Sequence, residues 1–216
     1  MNPEQIQNIG FIAQGLFASR FIVQWVRSEK VGRVLTPVMF WQLSLVASFL
    51  LIIYSILAQD LPVLLGQAIG YYIYVRNLRL KRAWRVLPKY FRYFVVAFPF
   101  LAGLWLIFGG EYSLKGIWDH HDNMALLIWG TIGQLIFSSR FIYQWYYSEK
   151  VKRSVLPLGF WIISIVGAVF ISTYAFYMDL YPIILGHVFG FFIYSRNIAI
   201  HFKYQKKLAA LKNTNV

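Results

Sequence analysis

Residues 19–33 read Ser-Arg-Phe-Ile-Val-Gln-Trp-Val-Arg-Ser-Glu-Lys-Val-Gly-Arg, and residues 139–153 read Ser-Arg-Phe-Ile-Tyr-Gln-Trp-Tyr-Tyr-Ser-Glu-Lys-Val-Lys-Arg. The two stretches stand 120 positions apart, and the register extends well beyond them. Residues 11–80 align with 131–200 without a gap, and 28 of the 70 pairs are identical. Pro-x-x-Phe-Trp-x-x-Ser recurs from Pro37 and Pro157, and Ile-Tyr-x-Arg-Asn from Ile73 and Ile193. Unrelated drift does not keep a gapless register for so long, so the chain is built from a repeated unit.

Composition says what kind of unit this is. The 216 residues are 59% hydrophobic and 13% charged, with mean hydropathy +0.55. Soluble domains run about 45–50% apolar and about 25% charged. An ordinary water-soluble globule and a disordered chain are both excluded, and no polar stretch is long enough for a soluble catalytic domain. There is no cysteine, which removes disulfides, thiolate chemistry and Cys-metal sites. Met1-Asn2-Pro3-Glu4 lacks the basic start of a signal peptide, so the first apolar segment is expected to remain as a span.

A helical span needs about 20 mostly apolar residues. Seven segments qualify: Ile6–Val26, Val38–Ala58, Pro62–Leu80, Tyr93–Phe108, Met124–Tyr146, Leu158–Met178 and Pro182–Ile200. The fourth is short, carries Pro99 and is the weakest. Charge placement nevertheless requires it. With seven spans, 18 of the 21 Lys and Arg fall on one side and six of the eight acids on the other. The positive-inside rule then predicts an outer N-terminus and a cytoplasmic C-terminus. The expected fold is all-α: a polytopic membrane protein with seven transmembrane helices in a 3+1+3 arrangement of parallel repeats, related by an axis along the membrane normal as in SWEET-type transporters. Its expected divisions are a first three-helix repeat (1–80), a basic linker with helix 4 and an outer loop (81–123), a second repeat (124–200) and a basic cytoplasmic tail (201–216).

Several residues within this plan bear chemistry. Arg20 and Arg140 lie inside spans, where an arginine costs about 2.5–3.5 kcal/mol on insertion scales. They could snorkel to the headgroups. Alternatively they form an inward cationic pair for an anionic substrate, a reading that Gln24 and Gln144 on the same helical side favour. Asn77 and Asn197 share an arc with Tyr74 and Tyr194; they read either as substrate-binding groups or as helix caps. The Gly66/Gly70 and Gly186/Gly190 pairs read as close-packing positions. Glu29 and Glu149 are the only acids on the basic side. They pair with neighbouring bases such as Lys30 and Arg33, or act as a gate latch. Arg76 and Arg196 read as interface anchors that could also grip phosphate. Trp25, Trp41, Trp145 and Trp161 are expected in an aromatic belt. His187 replaces Gln67 of the first repeat; packing is its ordinary role, and it is the one candidate proton site. Asp119–Asp122 (Asp-His-His-Asp) reads as a solvated loop rather than a metal site, because consecutive residues do not share a face. No metal, cofactor or nucleotide motif is found. The basic tail suits anionic headgroups rather than nucleic acid.

The run Arg-Phe-x-x-Gln-Trp-x-x-Ser-Glu, then Pro-x-x-Phe-Trp-x-x-Ser, then Gly-x-x-x-Gly-x-x-Ile-Tyr-x-Arg-Asn resembles the lipid A biosynthesis N-terminal domain family, within the PQ-loop/SWEET superfamily. The resemblance covers both repeats and leaves out helix 4 and the tail. It implies a setting in envelope lipid metabolism in a bacterial inner membrane. Because the two large glycosyltransferase lobes of the family's fused synthases are missing from this sequence, the synthase reaction is not implied. Helices 1 and 5 lack the Pro-Gln of PQ-loop proteins, so a proline-hinged mechanism does not carry over. The resulting expectation is a carrier or flippase-like protein for an anionic, lipid-linked or phosphorylated saccharide. Its partners would be membrane lipids, with a lipid A pathway enzyme or glycosyltransferase as a further candidate. The alternatives are a SWEET-like facilitator of neutral sugars, a scaffold for a lipid A pathway enzyme, and an intramembrane enzyme; for the last no acid/base pair is evident.

Overall fold

The computed structural model describes residues 2–115 and 123–214. Among the described residues seven long helices are found: α1 (Pro3–Val31), α2 (Val38–Leu57), α3 (Leu61–Leu80), α4 (Lys89–Phe108), α5 (Met124–Val151), α6 (Leu158–Tyr177) and α7 (Tyr181–Thr214). Six are long and apolar enough to cross a membrane by length and composition. The exception is α3, not α4 as the sequence suggested. Gln67, Arg76, Asn77 and Arg79 lower the apolar content of α3, while α4 holds its hydropathy despite Pro99.

Local chemistry sets the helix ends. Asn2 and Gln5 form a reciprocal capping box on α1, and the Asp60 carboxylate accepts from the Val63 N–H at the start of α3. Gly32 closes α1 with φ 69°, and Lys152 takes the equivalent left-handed turn after α5. The loops after α2 and α6 share another left-handed residue, Gln59 and Asp179, 120 positions apart. The repeat thus persists in the turns as well as in the helices. Beyond Ile200 helix α7 runs on without a break to Thr214, so the basic segment is helical.

Each repeat packs as a three-helix unit, α1–α2–α3 and α5–α6–α7, and the units meet through α1 against α7 and α3 against α5. The contacts across this seam are reciprocal. Glu29 meets Arg196 while Glu149 meets Arg76, and Gln24 meets Asn197 while Gln144 meets Asn77. Such an exchange is what a two-fold relation between units produces. One core cluster, rich in Phe, Trp and Tyr, extends from the seam beside these ion pairs along α2 and α3 to Val95, Phe98 and Ala102 of α4; a second gathers around Tyr54, Tyr174 and Leu51. Helix α4 lies outside the seam, its Phe94 and Phe98 packed on Phe49 of α2.

Candidate functional site

Arg20 and Arg140 are each 2% exposed and line one cavity of about 50 Å³ on the seam. Snorkelling is therefore not what they do: their side chains stay in the core. Each is seated by the same parts. Arg20 donates to the Ser44 hydroxyl at 2.6 Å and Arg140 to Ser164 at 3.0 Å. These are the serines that close the two Pro-x-x-Phe-Trp-x-x-Ser motifs, and sequence reading did not assign them a role. Arg140 also donates to the Tyr194 hydroxyl at 3.1 Å. Phe17, Phe21 and Phe40 surround the Arg20 guanidinium at 4.3–5.0 Å from their centroids, and Phe137, Phe141 and Phe160 surround Arg140 at 3.4–5.3 Å. Aromatic faces partly solvate a desolvated cation. They do not neutralise it. Neither guanidinium has a carboxylate partner among the described residues, and the Nε of each lacks an acceptor.

The rest of the cavity is polar in a way the motifs did not reveal. Gln14, Gln67, Gln134 and His187 line it together with Tyr74 and Tyr194. Gln14 and Gln134 are repeat mates that stand one turn and a half from the arginines on α1 and α5. Their seats are Gly186 and Gly66 of the opposite unit, where an added Cβ would collide with the glutamine side chain. Gly70 and Gly190 make room for the hydroxyls of Tyr74 and Tyr194, which an added Cβ would approach to 2.9 and 2.7 Å. The Gly-x-x-x-Gly pattern therefore admits polar side chains as well as bringing helices together. His187 packs edge-on against Phe137 at 4.6 Å, with its Nδ1 unpartnered.

Gln24, Gln144, Asn77 and Asn197 do not line this cavity. Gln24 Nε2 donates to Asn197 Oδ1 at 2.8 Å and Asn197 Nδ2 returns a bond at 3.1 Å; Gln144 and Asn77 do the same at 2.9 and 3.0 Å. All four are fully buried, and the asparagines bridge the units rather than cap helices. One turn beyond, the Arg76 guanidinium grips Glu149 through two bonds of 2.5 and 3.0 Å, and Arg196 grips Glu29 through bonds of 3.2 and 2.5 Å. The glutamates thus pair across the seam, apart from a looser 3.6 Å approach of Lys152 to Glu149. Trp25 and Trp145 each donate to these glutamates at 3.1 Å. Trp41 and Trp161 are wholly buried against Tyr74 and Tyr194 and belong to no interfacial belt. In this structure the two polar layers close the cavity toward the basic end. Tyr54, Tyr174 and Asp60 stand on the far side of the glutamines.

The Asp119–Asp122 run lies outside the described residues. Among those described, no three His, Asp or Glu side chains gather as a metal-ligand group.

The model of the family described as Lipid A Biosynthesis N-terminal domain matches residues 9–79 and again 129–199. A lipid-A-disaccharide synthase of Chlamydia felis (strain Fe/C-56) is 31% identical over 74% of this chain and 27% of its own length. One from Chlamydia pneumoniae is 30% identical over 92% of this chain and 34% of its own length. The chain thus spans about a third of the length of the curated relatives it matches. No solved structure matches.

Proposed function

Because the chain belongs to the lipid A biosynthesis N-terminal domain family, we propose that it is a carrier or flippase-like protein for an anionic, phosphorylated or lipid-linked saccharide of envelope glycolipid synthesis. The observation that carries this reading is the pair of buried guanidiniums on one cavity without a carboxylate between them. Removing a charge from water without a partner costs several kcal/mol, and an anion that binds there would offset that cost. A facilitator of neutral sugars has no use for two such charges. In the proposed fold the units are parallel repeats of a SWEET-like 3+1+3 bundle, with the basic end in the cytoplasm. A cavity of about 50 Å³ holds a few waters at most, which in this reading is an occluded state. Rocking the units apart at the basic end would break the Arg–Glu and Gln–Asn layers and present Gln24, Gln144, Asn77 and Asn197 to the headgroup. Rocking them apart at the other end would part Tyr54 from Tyr174.

The test is transport in proteoliposomes, with a phosphoglycolipid and its neutral counterpart as cargo. An Arg20→Leu, Arg140→Leu variant should fold, since it sheds about 2.5–3.5 kcal/mol of insertion cost per arginine. Its phosphoglycolipid movement should fall about tenfold to a hundredfold, for loss of a charge-assisted contact worth about 1.5–3 kcal/mol. Lysine should rescue only in part, because it lacks the bidentate fork. Undiminished transport by a folded double variant would overturn the anion-binding role of the arginines, and absence of transport by the wild type would leave the scaffold reading, suggested by the relatives' synthase names, as the better one.

A further inference from the structure

A second feature lies outside the seam, where α3 and α4 run side by side. Ala68, Tyr72, Val75 and Arg79 recur at spacings of four, three and four on α3, and Val96, Pro99, Gly103 and Leu106 at three, four and three on α4. Each set therefore forms one helical stripe. Together they line an apolar groove of about 520 Å³, within the range of ligand pockets. Its last member at the basic end, Arg79, also lines an adjoining pocket of about 670 Å³ with Arg82, Trp84 and Arg85. The three guanidiniums have no carboxylate partner among the described residues, and Arg79 lies 5.5 Å from the Trp84 ring. On α3 the groove's lining runs from Leu61 to Arg79, eighteen residues or about 27 Å of helix, close to the full thickness of a hydrocarbon core of about 30 Å, so a lipid's acyl chain fits within it.

The repeat makes this arrangement informative. The position equivalent to Arg79 in the second unit is Ala199, and beyond the repeat the two units diverge: Arg82 and Arg85 lie in the linker that leads into α4, whereas α7 runs on as helix. The second unit thus packs without an arginine at the position of Arg79, and the three charges gather where α4 supplies the other wall. Arg82 moreover takes φ 59°, a left-handed conformation uncommon for an arginine.

We infer that the α3–α4 groove is a lateral binding site for a phosphorylated anionic lipid, its acyl chain between the helices and its phosphate held by Arg79, Arg82 and Arg85. The site is independent of the axial cavity. A lipid held there keeps its chain in hydrocarbon and its headgroup at the basic end. Guanidinium forks suit phosphate oxygens, and Trp84 closes the headgroup pocket.

Native mass spectrometry of the full chain in detergent tests this, with phosphatidylglycerol and phosphatidylcholine of identical acyl chains as probes. The wild type should retain phosphatidylglycerol at least about tenfold more strongly. Arg82→Asn with Arg85→Gln should abolish that preference, at roughly fivefold per guanidinium; asparagine accepts the left-handed turn. Val96→Trp fills the groove from a position 52% exposed and should weaken both lipids equally. The Arg20→Leu, Arg140→Leu variant should retain phosphatidylglycerol as the wild type does. Equal retention of the two lipids by the wild type, or an undiminished preference in the arginine variant, would overturn the proposal. So would displacement of the lipid by millimolar inorganic phosphate, which would mark a site for the free anion. If Val96→Trp does not fold, the arginine variant decides the question alone.

Discussion

Asp60 holds its place through one hydrogen bond, from the Val63 N–H at 2.8 Å, and is otherwise 2% exposed. Its second oxygen has no acceptor or donor partner, and neither do the nearby hydroxyls of Tyr54 and Tyr174. The residue sits in the turn between α2 and α3, outside the spans. Burial pushes its carboxyl from the ordinary 3.8 up to about 7, more than the Val63 bond and the nearby Tyr174 hydroxyl pull it down. The stability consequence has a definite sign. Below about pH 4 the group is neutral whether the chain is folded or not. As pH rises toward 7, the unfolded chain releases this proton while the folded chain keeps it, so stability falls, and above about 7 the loss is complete. Asp60→Asn keeps a capping side chain and removes the titration. The wild type should therefore lose thermal stability relative to Asp60→Asn between pH 4 and 8 in detergent. Parallel melting curves across that range would refute the account. In the second unit the equivalent residue is Leu180, so this is a feature of one repeat only.

Among the elements, α4 tests how a membrane helix tolerates proline. Pro99 has no N–H, which leaves the Val95 carbonyl without its usual partner four residues on. The Tyr71 hydroxyl of α3 donates to that carbonyl at 3.1 Å. A neighbouring helix thus replaces the missing bond, as lipid cannot. Tyr71→Phe should destabilise the protein by about 1 kcal/mol, read as a lower melting temperature in detergent. Adding Pro99→Ala should recover most of it, because the new N–H reaches Val95. If Pro99→Ala gives the same gain with Tyr71 intact, the hydroxyl is not what compensates for the proline. The same bond helps hold α4 at the edge of the groove, so both changes bear on its shape.

At the scale of the molecule, reciprocity is the governing property. The Arg–Glu and Gln–Asn ties across the seam at the basic end each exist twice, while Ser154 adds one-sided bonds to Thr36, Trp41 and Asn77, so opening there must break both pairs of each kind together with these. Among the described residues no equivalent polar layer closes the opposite end, where the Tyr54 and Tyr174 hydroxyls have no hydrogen-bond partner. Orientation can be read directly because the chain has no cysteine. Under the proposed topology, Lys115→Cys should react with an impermeant maleimide added to intact cells, and Val86→Cys, at a position 84% exposed, should react only after permeabilisation. Equal labelling of the two would reject the seven-span arrangement.

The seven helices, the repeat and the separation of charge were legible in the sequence because each is a local or periodic property: twenty apolar residues, a constant offset, a count of Lys and Arg. Arg20, Arg140, Tyr74 and Tyr194 were also legible, since an arginine in a span and its repeated neighbours stand out against an apolar background. The partners were not. Gln24 finds Asn197 at a separation of 173 residues, and Glu29 finds Arg196 rather than the bases beside it. Trp41 and Trp161 turned inward, and Gln14 and Gln134 entered the cavity through space left by Gly186 and Gly66. The physical reason is that these spans are apolar on nearly every face, so their pattern does not say which side meets protein and which meets lipid. The sequence by itself determined the elements, their number and their duplication. The rotation of each helix about its axis, and with it the closed polar layers and the unpaired charges on the cavity, was decided only when the two units packed against each other.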